Sequence, residues 1–451
     1  MTPADLDLIS AGTALRAGSL TSENLIGAVL DRIAQREPTL NAFTALYADR
    51  ALAAARAADR DLMNGIDHGP LHGLPVGIKD LIDIDGEITG CGSRVAVAGP
   101  ARADAEVVRR LRAKGAIILG KLQTYEFAVV GPDFNLPHPP ARNPWNRDHI
   151  TGGSSSGSAA AVAGGLLRTA LGTDTGGSIR SPSSYCGAVG LKPTYGTVPT
   201  GGVFPLSPSL DVIGPLSASV AEAALTFDAI ADTKASRLIG APVAGLRVGY
   251  ARAWFASDPN CDAAVLQALD DAASTLSLLG VRIEEIDLPD YALFEAAGAV
   301  VLHAEAYQVH KAMMAADPRG YGRLAYQSVM SGMLLSDADV AVAREAGAAL
   351  TAELFAAMAP VDALLTANTL STALPFSAFD GETVVWTHMR TLPFNVTGQP
   401  VLALPSGFSN RLPMGLQLAA RPGDEALLCQ IGHAFEQATD HSAQRPQLPG
   451  L

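Results

Sequence analysis

Residues 151–187, TGGSSSGSAAAVAGGLLRTALGTDTGGSIRSPSSYCG, decide how this chain folds. Two Gly-Gly-Ser turns flank an apolar segment of helical character (158–167) and a short β-type run (170–172). A flexible Gly/Ser linker would not run at once into a core-type helix and a strand. Upstream, the turn-rich GIDHGPLHG gives way to an apolar run at 74–78, then a helical stretch at 104–114 and a β-type run at 116–119. Strands alternating with helices predict an α/β sheet. The N-terminal part reads as helices over 4–14, 22–35 and 47–63. In the second, Leu25, Ile26, Val29, Leu30 and Ile33 recur at helical spacing after the cap candidates Thr21 and Ser22. Beyond residue 217, Ala-rich helices surround one clear strand (246–250). Strands at 363–366, 400–405 and 415–419 and a helix at 424–438 follow, with no internal repeat.

The 451 residues are 48% apolar and 17% charged, which suits a large buried core and excludes a disordered chain. A formal charge of −13 repels polyphosphate, so nucleic acid is not an expected partner. Cys91, Cys186, Cys261 and Cys429 lie far apart with no Cys-x-x-Cys spacing, which predicts free thiols in a reducing compartment and no zinc site. The start, MTPADLDLIS, lacks the basic and apolar segments of an export signal, and the uncharged stretch 158–167 is too short to span a bilayer. A soluble cytoplasmic protein without membrane contact is expected.

Three chemistries compete for the Gly/Ser segment. A phosphate loop would need a Gly-Lys-Ser/Thr ending or Gly-x-Gly-x-x-Gly, and neither is present. Gly153, Ser155 and Gly157 satisfy the Gly-x-Ser-x-Gly elbow, but an elbow follows an apolar strand and ARNPWNRDHI (141–150) is loop-like. In the third reading the two turns act together. Gly176 and Gly177 before Ser178 let backbone N–H groups converge as an oxyanion hole requires. The serine then needs a base, and no histidine is near except His149 in a loop. Lys79 in GLPVGIKDLID is a candidate, with Leu74, Val76 and Ile78 on one strand face and Gly77 and Lys79 on the other. A lysine serves as a base only where burial or a neighbouring cation lowers its pKa, and a solvated edge lysine is the ordinary alternative.

Taken together, GLPVGIKD, GGSSSGS, LGTDTGGSIR and CGAVGLKPTYG (186–196) resemble the amidase signature family of Ser-Ser-Lys hydrolases. GVFPLSPSLDVIGP (202–215), TGQPVLALPSGF (397–408) and PMGLQLAARPGDEALL (413–428) extend the likeness along nearly the whole chain. The resemblance implies a single α/β/α domain, a large mixed β-sheet sandwiched between helices. Its parts would be N-terminal helices (1–62), a signature core (63–216), a helical variable region (217–361) and a C-terminal part completing the core (362–451). It implies Ser178 as the acylated nucleophile, Ser154 as the bridging serine held by a cis peptide after Gly153, and Lys79 as the general base. The backbone N–H groups of Thr175, Gly176, Gly177 and Ser178 would form the oxyanion hole, with Asp174 and Arg180 holding the turn. It calls for no metal and no cofactor.

The loop 125–140 should form part of the entrance, with Tyr125, Phe127, Phe134 and Leu136 as substrate contacts. Few charges in these loops point to a small neutral amide, with carbamate (urethane), anilide or ester cleavage sharing the same chemistry. A glutaminase component of a tRNA-dependent amidotransferase is the alternative within the family. The Phe-Pro-Leu pattern at 202–214 and a somewhat short chain argue against it. A catalytically silent binding protein on the same fold is the alternative of another class. A homodimer, as in many relatives, is compatible with the sequence.

Overall fold

A computed structural model describes residues 2–95, 97 and 99–448. Eleven strands form one mixed sheet: β1 (Phe43–Leu46), β2 (Pro75–Lys79), β3 (Ile117–Leu122), β4 (Thr169–Asp174), β5 (Val189–Lys192), β6 (Val212–Ser217), β7 (Arg247–Tyr250), β8 (Arg282–Glu285), β9 (Ala363–Ala367), β10 (Val401–Ser409) and β11 (Leu412–Ala420). Their order is β1-β3-β2-β4-β6-β5-β10-β11-β9-β7-β8. β2 runs parallel to both β3 and β4, and β7 runs parallel to β8 and β9.

Every residue of β2, β3, β4, β5, β6, β9 and β11 is buried. Successive strand residues point to opposite faces, so unbroken burial means that helices cover the sheet on both sides. The predicted α/β/α layering is therefore present. The edges behave differently: β8 (Arg-Ile-Glu-Glu) is largely exposed, and charged side chains blunt such an edge against pairing with other chains.

The helix Ser22–Leu40 begins where Thr21 Oγ1 accepts from the N–H of Asn24 (3.2 Å) and ends at Asn41, which takes φ +50. It passes the predicted end at residue 35 despite Pro38 within its last turn, and Leu40 at its end is buried. Four strands lie outside the predicted set: β1, β5, β6 and β8. The segment read as purely helical, 1–62, thus places a strand at the sheet edge, and the last 90 residues place β9, β10 and β11 inside the sheet.

Candidate active site

β2 and β4 are adjacent, parallel and central, and both end at the same side of the sheet. Lys79 is the last residue of β2, and Thr173 and Asp174 close β4. Crevices beyond the carboxyl ends of parallel strands are where α/β sheets gather functional groups. Lys79 is not at an edge; its side chain is fully buried. Its Nζ lies 2.7 Å from Ser154 Oγ, 2.8 Å from Thr173 Oγ1 and 3.1 Å from Ser155 Oγ. Burial pushes the ammonium down to about 7, against the opposing pull of Asp174 and Asp211.

Ser154 is buried, while Ser178 is half-buried and faces a cavity. The N–H of Ser154 donates to Ser178 Oγ at 3.0 Å, locking the two Gly-Gly-Ser turns together. The expected cis peptide before Ser154 is absent; among the described residues the cis bond is Gly131–Pro132. Gly152 and Gly153, at φ +74 and +59, turn the chain sharply enough to deliver Ser154 without it. Gly172 in β4 keeps the strand surface open, since a Cβ there would lie 2.6 Å from Ser155 Oγ.

Ser155, the elbow candidate, is fully buried and fully engaged. Its hydroxyl donates to Thr173 O (3.1 Å) and accepts from Thr173 N–H (3.2 Å) and from Lys79. Its hydroxyl is thereby tied to Lys79 and to β4.

The second turn is built on Asp174. Its carboxylate accepts from Arg180 Nη2 (2.7 Å) and Nε (2.9 Å), from Gly177 N–H (2.9 Å), from Ile179 N–H (3.1 Å) and from Asn395 Nδ2 (3.0 Å). Burial alone would raise this carboxyl, but the Arg180 guanidinium overcomes it and holds the group well below the usual carboxylate range. One consequence corrects the expected oxyanion hole: Gly177 N–H is already taken by Asp174. The N–H groups of Thr175, Gly176 and Ser178 find no acceptor among the described residues. Asp211 steadies the same turn. Its Oδ1 accepts from Thr175 Oγ1 (2.6 Å), and its Oδ2 accepts from the N–H groups of Leu206 (2.9 Å) and Ser207 (3.1 Å).

The cavity above Ser178 has a volume of about 80 Å³. Tyr125 lines it, beside Val129, Val130, Ile150, Leu206 and Leu302, with Val385, Trp386, Thr387 and Met389 from a distant loop. Among the described residues no charged side chain lines it. Three expected contacts lie elsewhere. Phe127 is fully buried among Phe204, His310 and Tyr321, where an apolar ring is better placed than at a wet mouth. Phe134 is exposed and packs edge-on against Phe376, and Leu136 approaches Gly322 instead of the cavity. The walls from 385–389 and from Leu302 escaped sequence reasoning because nothing local ties them to the turns. Among the described residues no cluster of three or more His, Cys, Asp or Glu could hold a metal, and no helix is long and apolar enough to cross a membrane.

A family model described as Amidase matches residues 24–429. The chain belongs to the amidase signature family. Members of this family hydrolyse carbon–nitrogen amide bonds. The chain is 36% identical to a glutamyl-tRNA(Gln) amidotransferase component from Chloroflexus aggregans, over 98% of both chains. It superposes with TM-score 0.89 and 32% identity on a protein of a vestigial complex tied to the origins of an s-triazine catabolic enzyme, covering 96% of this chain and 98% of that one. The peptide amidase of Stenotrophomonas maltophilia matches with TM-score 0.84 and 29% identity, over 99% and 98% of the two chains.

Proposed function

We propose that the protein hydrolyses the amide bond of a small, uncharged substrate through an acyl-enzyme on Ser178. The observation that carries this reading is buried Lys79 bonded to Ser154 Oγ, with the backbone N–H of that same serine donating to Ser178 Oγ, beside a cavity that no charged side chain lines among the described residues. Since the Ser155 proton is committed to Thr173 O, a neutral Lys79 donates its two N–H bonds to Ser155 and Thr173 and turns its lone pair to Ser154. Lys79 then takes the Ser154 proton, Ser154 takes that of Ser178, and Ser178 Oγ bonds to the substrate carbonyl carbon. The N–H groups of Thr175, Gly176 and Ser178 hold the oxyanion. The C–N bond breaks as the relay returns a proton to the leaving amine, and water releases the acid by the same path. Carbamates, anilides and esters present the same carbonyl to this machinery. The four cysteines are free, which suits a reducing compartment such as the cytoplasm.

The second reading, glutamine hydrolysis within an amidotransferase, draws support from the identity to the amidotransferase component of Chloroflexus aggregans. Chain length does not count against it, because the alignment covers 98% of that relative. This reading also brings in partner proteins. Against it, the ammonium and carboxylate of glutamine would enter a cavity offering neither an opposite charge. A hydrolysis screen of primary amides, anilides, carbamates and glutamine, with Ser178→Ala as blank, separates the two. Turnover of neutral amides lost in the blank supports the first reading, and turnover of glutamine alone supports the second. A sulfonyl fluoride that leaves Ser178 unlabelled by mass spectrometry, together with no turnover of any substrate, supports a silent binding protein.

A further inference from the structure

Trp386 has no packing duty that explains it. Among the described large hydrophobic side chains left exposed, it alone lines the catalytic cavity, with 52% of its surface open. The loop that carries it is pinned at both ends. Leu370 N–H donates to His388 O (2.9 Å), Arg390 N–H donates to Asn368 O (2.8 Å), and Phe379 is buried beside Ile150 and Tyr185. Between Phe379 and His388 the backbone bonds, among the described residues, only to the Asp380 side chain, through the N–H groups of Glu382 and Thr383. The indole meets the His303 ring edge-on at 6.4 Å, and His303 is fixed in turn by Nδ1 against Ser328 O (3.1 Å). The indole N–H meets no acceptor among the described residues. A flat, half-exposed indole thus lines a neutral cavity together with aliphatic Val130 and Ile150.

We propose that Trp386 is a specificity-determining wall that stacks on a planar, uncharged aromatic group of the substrate, so that the enzyme prefers aryl amides to small alkyl amides. Aromatic faces stack in offset or edge-on pairs, and burying the indole against a ring removes apolar surface from water on both partners. The inference rests on the amide-hydrolase reading. Because Trp386 is half exposed, its replacement leaves the core intact.

The test compares kcat/KM for benzamide (ring on the acyl side), acetanilide (ring on the amine side) and acetamide in the wild type, Trp386→Ala and Trp386→Phe. The expected result is that the aryl-to-acetamide ratio falls about tenfold in Trp386→Ala for at least one aryl substrate and changes less than about threefold in Trp386→Phe. The affected substrate then identifies the side of the bond that meets the indole. An unchanged ratio in Trp386→Ala, or a wild type with no aryl preference, overturns the proposal. Should the wild type turn over none of the three, the hydrolase reading is the one that fails. The wall is then judged by calorimetric binding of benzamide to Ser178→Ala: loss of binding on adding Trp386→Ala supports it, and equal or absent binding overturns it.

Discussion

Lys79 shows how one residue acquires its chemistry from its surroundings. A base must be neutral to accept a proton, and burial sets this lysine near about 7 instead of its usual value near 10. Below that pH the ammonium form dominates and has no lone pair for Ser154. We therefore expect kcat/KM to climb as pH rises through about 7 and to level off above it. A pH profile that is flat from 6 to 9 would contradict the assignment. Lys79→Ala should cost on the order of 10²–10⁴ in kcat, the usual worth of general-base catalysis. Ser155→Ala should act more mildly, slackening the lysine's hold without removing the relay. The sequence named Lys79, Ser154 and Ser178 but could not tell an edge lysine from a buried one. That difference depends on β3 and β4 flanking β2, which no local pattern records.

At the scale of elements, the two Gly-Gly-Ser turns are the devices that fix the site. Gly153 needs its left-handed backbone, and a Cβ there would meet Pro182 Cδ at 2.7 Å, Ser181 Oγ at 2.8 Å and Ser178 Cα at 3.1 Å. Gly153→Ala should lower kcat by more than about 100-fold, with a loss of stability of about 1–2 kcal/mol from the forced φ alone. Activity assay and urea midpoint together separate the two effects. The second turn depends on the Asp174–Arg180 pair, fully buried and extended by Arg180 Nη1 to Thr391 O (2.7 Å) and Nη2 to Asn395 Oδ1 (2.6 Å). Arg180→Met strands a buried carboxylate, so a loss of about 3–5 kcal/mol in urea denaturation is expected. The turns were legible because glycine and serine carry their conformational meaning locally. The strands β5 (Val-Gly-Leu-Lys) and β6 (Val-Ile-Gly-Pro-Leu-Ser) were not, because the glycine in each and the proline in β6 are residues depleted in strands.

For the whole molecule, the sheet order dictates how the chain can fold. β9, β10 and β11, from the last 90 residues, stand between the β2–β6 half and the β7–β8 edge. A chain ending at residue 361 should therefore show no cooperative melting transition by calorimetry, although it retains Lys79, Ser154 and Ser178. The same interleaving explains the cavity, where Val130, Ile150, Ser178, Leu206, Leu302 and Trp386 meet. The sequence by itself determined the α/β class and the two glycine-serine turns, and its motifs singled out Lys79, Ser154 and Ser178 as candidates, because each follows from local conformational preference or from a specific motif. Only the tertiary structure decided that Lys79 is desolvated, that Gly177 N–H is spent on Asp174, and that Trp386 faces the nucleophile's cavity while Phe127 does not. Desolvation and cavity shape are through-space properties, set by groups that are distant in the chain, as Ser178 and Trp386 are, and that meet only when the sheet forms.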